Sequence, residues 1–398
     1  MTKLHIGRRT AIASGVAALA TPSIVRAQAD PIKIATLTPL TGGGGSYGPV
    51  MAKVAASVVE EVNKVGGVLG RRVVLVSEDD QTSPEPGVRA ARKLIDVDKV
   101  VAICGTWASS VTTAVAPLCW ESKTFLCTVS GADSITLLPH QGYLVRTQPN
   151  STLQVTRVAE FILSLGAKKA FTMIPQTPFT QSTIDILNKV LPTGNATHGS
   201  LIYDDKKTSY RTEVDQALRG SPDLILANGY TPDTVLVLKD LYRSGFKGKI
   251  LGFAYSINQK LVDQIGQPEV VEGVYTFAPS PAEGSGAYDR VKAAVGSTNP
   301  DPYTCQVYDH VNMVLMSIAV AKAASGEAIK DNIRKVTQGG GKSVDNAVDG
   351  IKEIAAGGKV DYTGASGPCD FDAKGDILDC KFRYEQIKAG KFTLVKLA

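Results

Sequence analysis

The stretch "TLTPLTGGGGSYGPV", Thr36 to Val50, sets four consecutive glycines between an apolar run and a helix-like segment, where a strand-to-helix turn often cradles a phosphate. A P-loop ends in Gly-Lys-Ser/Thr. Here Gly45 is followed by Ser46 and Tyr47, so no lysine would neutralise a phosphate. Gly43, Gly45 and Gly48 fit the spacing of a dinucleotide fingerprint, with Glu60 near the place of a ribose acid, but four glycines in a row satisfy almost any glycine pattern. Of His140, His198 and His310 none neighbours a plausible nucleophile in sequence, so general-base chemistry has no candidate pair. Asp79-Asp80 could hold a cation; a strand-end turn that caps the next element is the simpler reading. No Cys-x-x-Cys or His-x-x-x-His spacing supports a metal site. The expectation is a protein that is not an enzyme and uses no metal or cofactor.

Two of the six cysteines suggest a staple. A hairpin in "CDFDAKGDILDC" turning at residues 373–376 would set Cys369 and Cys380 opposite each other, which makes them the candidate disulfide. Cys104, Cys119, Cys127 and Cys305 cannot be paired from spacing.

The elements that would position such residues follow a regular alternation. "IKIATL", "VVLVSED", "VVAICG" and "FLCTVS" alternate with helical patterns, and a second series, "AFTMI", "SLIYDD", "DLILANG" and "KILGF", does the same. Apolar runs of this kind predict parallel sheets covered by helices, with ligands at the carboxyl ends of the strands. The series divide near "LVRTQPN"; the second ends near residues 274–286, and "DYTGASGPCDFDAKGD" follows a group of long helices. Three boundaries for two domains imply three crossings, hence a hinge between lobes that close on a ligand.

Residues 1–29 read as an export signal with a basic start, an apolar middle and Ala27-Gln28-Ala29 as cleavage site. The Arg8-Arg9 pair suits twin-arginine export, and the apolar stretch is well short of the roughly 20 residues a membrane span needs. Four of the 43 basic residues, Lys3, Arg8, Arg9 and Arg26, lie in that segment, leaving 39 against 38 acidic ones. A near-neutral chain gives no reason to invoke nucleic acid or an anionic membrane surface as a partner.

Taken together, "TPLTGGGGSYG", "DKVVAICGTWASSVTTAVAP", "LVRTQP", "ANGYTPDTVLVLKDLYRSGFKGKILGF" and "DYTGASGPCDFDAKGDI" resemble, in order, the periplasmic solute-binding proteins of the branched-chain amino-acid class of ABC importers. The resemblance implies an α/β type I periplasmic binding protein with two Rossmann-like lobes. Lobe one would comprise residues 30–147 and 278–362, and lobe two residues 148–277 and 363–398. It also implies a periplasmic protein that captures a small-molecule solute and docks on membrane permease subunits; a sensory receptor of the same fold is the alternative. By the family pattern Tyr47 would meet the solute, Ser109 and Ser110 would hold a carboxylate at a helix start, and Gly131 and Asp133 would face its charged end. Trp107, Phe179 and Tyr230 would enclose it.

One position departs from the pattern. In "GFAYSINQ", Ala254 stands where amino-acid binders of the family carry the glutamate that holds the ligand ammonium. Either Asp133 replaces that carboxylate from the opposite lobe, or the solute is an acid without an ammonium, its apolar body enclosed by the aromatic residues and Tyr255.

Overall fold

The computed structural model describes residues 30–398, so the expected export signal lies outside the described residues. The chain opens with β1 (Ile32–Thr38), α1 (Gly48–Lys64), β2 (Val73–Asp79), α2 (Pro84–Arg92), β3 (Ala102–Thr106), α3 (Ser109–Glu121), β4 (Phe125–Thr128) and β5 (Leu144–Arg146). The strands form one parallel sheet in the order β2-β1-β3-β4-β5. β1, β3 and β4 are buried on both faces, which is why their sequences are almost unbroken apolar runs. Helix α1 covers the sheet with Met51, Val54, Ala55, Val58, Val59 and Val62, a stripe at three- and four-residue spacing.

The second series runs α4 (Ser151–Ser164), β6 (Lys169–Pro175), α5 (Pro178–Val190), β7 (Thr197–Tyr203), α6 (Arg211–Leu218), β8 (Leu224–Ala227), α7 (Thr231–Arg243), β9 (Lys249–Phe253), α8 (Gln259–Ile265), α9 (Pro268–Val271) and β10 (Tyr275–Pro279). Asn150 opens α4 by accepting the Leu153 N–H, as its residue type predicts. The chain then returns to the first lobe with α10 (Gly286–Val295), α11 (Pro302–Ala321), α12 (Gly326–Thr337), β11 (Lys342–Val344), α13 (Ala347–Ala355), β12 (Val360–Gly364) and β13 (Gly367–Pro368). Helix α11 is buried from Tyr303 to Ala319 and starts at an Asp301 cap. Finally β14 (Phe382–Lys388) and β15 (Lys391–Leu397) add antiparallel to the second sheet, whose order is β15-β14-β10-β9-β8-β6-β7.

The chain therefore passes between sheets after β5, after β10 and before β14. The last passage falls later than the residue 362 boundary the sequence suggested, because Cys369, Phe371 and Ile377 pack into the core of the first lobe. A buried ion pair fixes the same segment. Arg146, at the end of β5 and fully buried, donates from Nε (2.8 Å) and Nη2 (2.6 Å) to Asp376 Oδ1, and from Nη1 to the carbonyls of Ala132 (2.6 Å) and Ser130 (3.3 Å).

The expected Cys369–Cys380 disulfide is not formed; both thiols are free, as are the other four. The hairpin pairs Phe371 with Ile377, which sets Cys369 opposite Asp379 and not Cys380. A register one residue away from the expected one turns a side chain to the other face. Cys369 accordingly points into the first core, whereas Cys380 packs against the core of the second lobe.

Two outcomes follow from these contacts. Asp376→Ala would strand a buried guanidinium and lower unfolding free energy by about 3–5 kcal/mol in urea denaturation; a loss below about 1 kcal/mol would show that the pair is dispensable. Alkylation of the unfolded, unreduced chain should label all six cysteines in a mass spectrum, and four labels would contradict free Cys369 and Cys380.

Candidate functional site

The loops at the carboxyl ends of both parallel sheets converge on one cavity of about 60 Å³. β3 delivers Trp107 and Ser109, β4 leads to Gly131, and the passage after β5 supplies Gln148 and, on α4, Gln154. From the second sheet come Thr177 and Phe179 after β6, Asn228 and Tyr230 after β8, and Tyr255 after β9; Tyr303 enters from the start of α11. This is where open α/β sheets place ligands, because helix N-termini and loop backbone meet there.

Trp107 is the centre of the aromatic wall. Its ring lies 5.6 Å from Tyr230, 6.1 Å from Tyr255 and 5.8 Å from Tyr303, the last two nearly perpendicular. Phe179 stands edge-on to Tyr255 at 6.5 Å. Burial raises the phenol pKa of Tyr230, Tyr255 and Tyr303, so each stays a neutral hydroxyl at physiological pH. Among the described residues the cavity wall contains no Asp, Glu, Lys, Arg or His.

Its polar groups are amides and hydroxyls. Ser109 begins α3, where the first N–H groups have no partner within the helix, and its Oγ accepts the Ala132 N–H at 3.2 Å. Gln148 Nε2 donates to Gln154 Oε1 (2.9 Å), and Gln306 Nε2 to Gln148 Oε1 (2.8 Å). Asn228, 2% exposed, accepts the Tyr255 hydroxyl at Oδ1 (2.7 Å), whereas its Nδ2 has no hydrogen-bond partner.

Of the residues singled out from sequence, Trp107, Ser109, Gly131, Phe179, Tyr230 and Tyr255 line the cavity. Tyr47 does not. It stacks behind Trp107 at 5.7 Å, donates its hydroxyl to Ala254 O (3.0 Å) and accepts from Asn258 Nδ2 (2.8 Å), so it ties the lobes together beside the cleft. The glycines before it serve close approach: a Cβ at Gly43 would lie 3.1 Å from the Tyr230 ring, and one at Gly44 2.8 Å from that of Trp107. Ala254 is likewise outside the wall, occupied with Tyr47, and Ser110 lies one residue further along α3. Asp133 turns away altogether: its carboxylate accepts the Thr152 N–H (3.1 Å) and hydroxyl (2.9 Å) at the start of α4. The negative charge is drawn to the open N-terminus of that helix. Sequence reasoning missed Gln148, Gln154, Thr177, Asn228 and Tyr303. For Gln148 and Asn228 the signal is their place just beyond strand ends; Tyr303 offers none.

The chain matches the periplasmic binding protein family over residues 31–375 and belongs to it. It is 26% identical to the chemotactic signal transduction system substrate-binding protein BasB of Halobacterium salinarum, with 86% of this chain and 84% of that protein covered. It superimposes on a leucine binding protein, LivK, of Thermotoga maritima with a TM-score of 0.78 at 22% identity, covering 92% of this chain and 98% of that one. An ABC transporter solute binding protein from R. palustris in complex with 4-hydroxybenzoate gives 0.76 at 18% identity, over 93% and 97% of the two chains. The fold is thus that of the type I periplasmic binding proteins, and the relatives are solute-binding proteins, not enzymes. No helix among the described residues is long and apolar enough to cross a membrane.

Chemistry elsewhere in the molecule is structural. His310 is buried with Nε2 2.7 Å from Thr147 Oγ1, and burial takes its pKa down to about 3; His198, bonded to Thr172 and Asn188, falls to about 4. Among the described residues no group of His, Cys, Asp and Glu could hold a metal ion. Asp79 accepts from the Thr41 and Gln81 N–H groups, and Asp80 from Thr82, so the acidic pair caps its own turn. Asp80 is fully buried, its Oδ2 is unpartnered, and burial raises its pKa to about 7. The folded chain therefore holds a proton there that the unfolded chain releases near pH 4, and this group costs stability as pH rises from about 4 to 7. Asp80→Asn should raise stability by roughly 2–3 kcal/mol more at pH 8 than at pH 5, read from denaturant melts at both values; equal effects at the two would refute it.

Proposed function

We propose that this protein captures a small carboxylic acid lacking an ammonium group, an aromatic acid foremost, between its two lobes in the periplasm and delivers it to the permease subunits of an ABC importer. The observation that carries this reading is the cavity wall: aromatic rings and neutral amides, with no carboxylate to receive an ammonium. Asp133, the one candidate replacement, is committed to the α4 N-terminus. An α-amino acid would bury its cation unpaired, at a cost a protein site rarely tolerates.

A carboxylate has partners. The Ser109 hydroxyl and the free N–H groups of the first turn of α3 point positive partial charge at an anion without adding a formal charge. The rings of Trp107, Phe179, Tyr230 and Tyr255 enclose the apolar remainder. The 4-hydroxybenzoate complex of the R. palustris relative supports the same class of solute, and the LivK likeness makes leucine the natural competitor to test.

Isothermal titration of the full chain with benzoate, phenylacetate, leucine, valine and phenylalanine decides between them. The aromatic acids should bind at least tenfold more tightly than the amino acids, and Ser109→Ala should weaken acid binding by roughly ten- to a hundredfold, the worth of one hydrogen bond to a charged group. Tight binding of leucine or valine with no response to the acids would overturn the reading.

A further inference from the structure

Resting on that reading of the cleft, we propose that Asn228 selects acids that carry a second, acceptor oxygen on the ring, so that hydroxylated or alkoxylated aromatic acids are preferred to the bare acid. Asn228 follows β8, its backbone N–H donates to Met173 O at 2.9 Å, and only 2% of the residue is exposed. Its side-chain oxygen is taken by the Tyr255 hydroxyl at 2.7 Å, and that bond orients the amide. The residue lines the cavity, and the buried nitrogen of the same amide has no acceptor within the protein. A buried donor without an acceptor is rare in folded proteins and costly where it occurs. The cavity is the place from which an acceptor could reach it.

The position of this donor gives the proposal its chemistry. Ser109, which would hold the carboxylate, belongs to the first lobe, and Asn228 to the second. Both line the one cavity, whose wall also carries the rings of Trp107, Tyr230 and Tyr255. A ligand that satisfies both donors has an oxygen at each end of a flat apolar body and bridges the lobes; benzoate satisfies only the first. The other amides of the wall are already engaged: Gln148 donates to Gln154 and accepts from Gln306, and Gln154 donates to Pro149 O. Discrimination at Asn228 is of the kind that rejects a ligand lacking the matching group, because the unmatched ligand leaves the donor stranded.

The test is calorimetric titration of the full chain with benzoate, 3- and 4-hydroxybenzoate, 4-methoxybenzoate and 4-aminobenzoate, the last presenting a donor and only a poor acceptor where the hydroxy and methoxy acids present an acceptor oxygen. At least one hydroxy or methoxy acid should bind about tenfold or more tightly than both benzoate and 4-aminobenzoate. In Asn228→Leu that preference, read as the ratio of the two affinities within the same variant, should collapse to within about twofold; Asn228→Ser gives the same comparison where leucine impairs folding by circular dichroism. If benzoate binds but no oxygenated acid is preferred, if 4-aminobenzoate binds as well as the hydroxy acids, or if the preference survives in the variants, the role of Asn228 is refuted and acid capture stands. If leucine binds and none of the acids does, the reading of the cleft itself has failed and this proposal falls with it.

Discussion

The guanidinium of Arg146 is the point on which the two lobes and their cleft depend. It is a buried cation whose desolvation is offset only because every direction it presents meets an acceptor: Asp376 on the last passage, Thr136, and the carbonyls of Ser130 and Ala132. Asp376 in turn accepts from Thr136 and from Asn150, the cap of α4. One charge pair thus joins the end of the first sheet, the start of the second lobe and the segment that returns for the third passage. It also shapes the cleft. With the carbonyls on either side of Gly131 turned toward Arg146, the Ala132 N–H is left to meet Ser109 Oγ. The cation itself stays out of the cavity wall, so it builds the site without charging it.

A second connection runs through neutral groups. Gln306 on α11, Gln148 in the first passage and Gln154 on α4 form a chain of amides from the first lobe to the second. Each is buried, so each must find partners within the protein, and a relative movement of the lobes would have to break or exchange those bonds. Tyr47 works in the same sense on the other side of Trp107, reaching Ala254 and Asn258 across the cleft. The lobes are held to each other here by hydrogen bonds between neutral groups, which water can replace.

Sheet architecture was legible because strands buried on both faces betray themselves as short apolar runs, and β1, β3, β4 and β8 are of that kind. Trp107, Ser109, Gly131, Phe179 and Tyr230 were legible through their places in the turns that follow those strands. Residues whose role depends on a competing partner were not. Asp133 lies two residues from Gly131, yet the N-terminus of α4 claims its carboxylate, and no pattern local to "SGADS" reveals that helix. Tyr47 follows the glycine turn as expected, but Trp107 stands in front of it. The hairpin register was off by a single residue, enough to send Cys369 and Cys380 into different cores. The place of Asn228 just beyond β8 could mark it as a residue of the cleft but not its role, since an amide beyond a strand end looks the same whether its donor is satisfied or not.

The aromatic wall invites one other chemistry, and its geometry argues against it. Rings gathered without carboxylates can bind a quaternary ammonium through their electron-rich faces. Here, however, the rings use those faces on one another: Trp107 meets Tyr255 and Tyr303 at 86° and 90°, and Phe179 meets Tyr255 at 82°, arrangements in which the positive edge of one ring sits on the face of the next. On the proposed reading a planar acid would set its own ring among these and bring its charge to the N-terminus of α3, whose first N–H groups have no partner within the helix. A permanent cation would meet no counter-charge in this wall, the same lack that argues against an amino acid's ammonium.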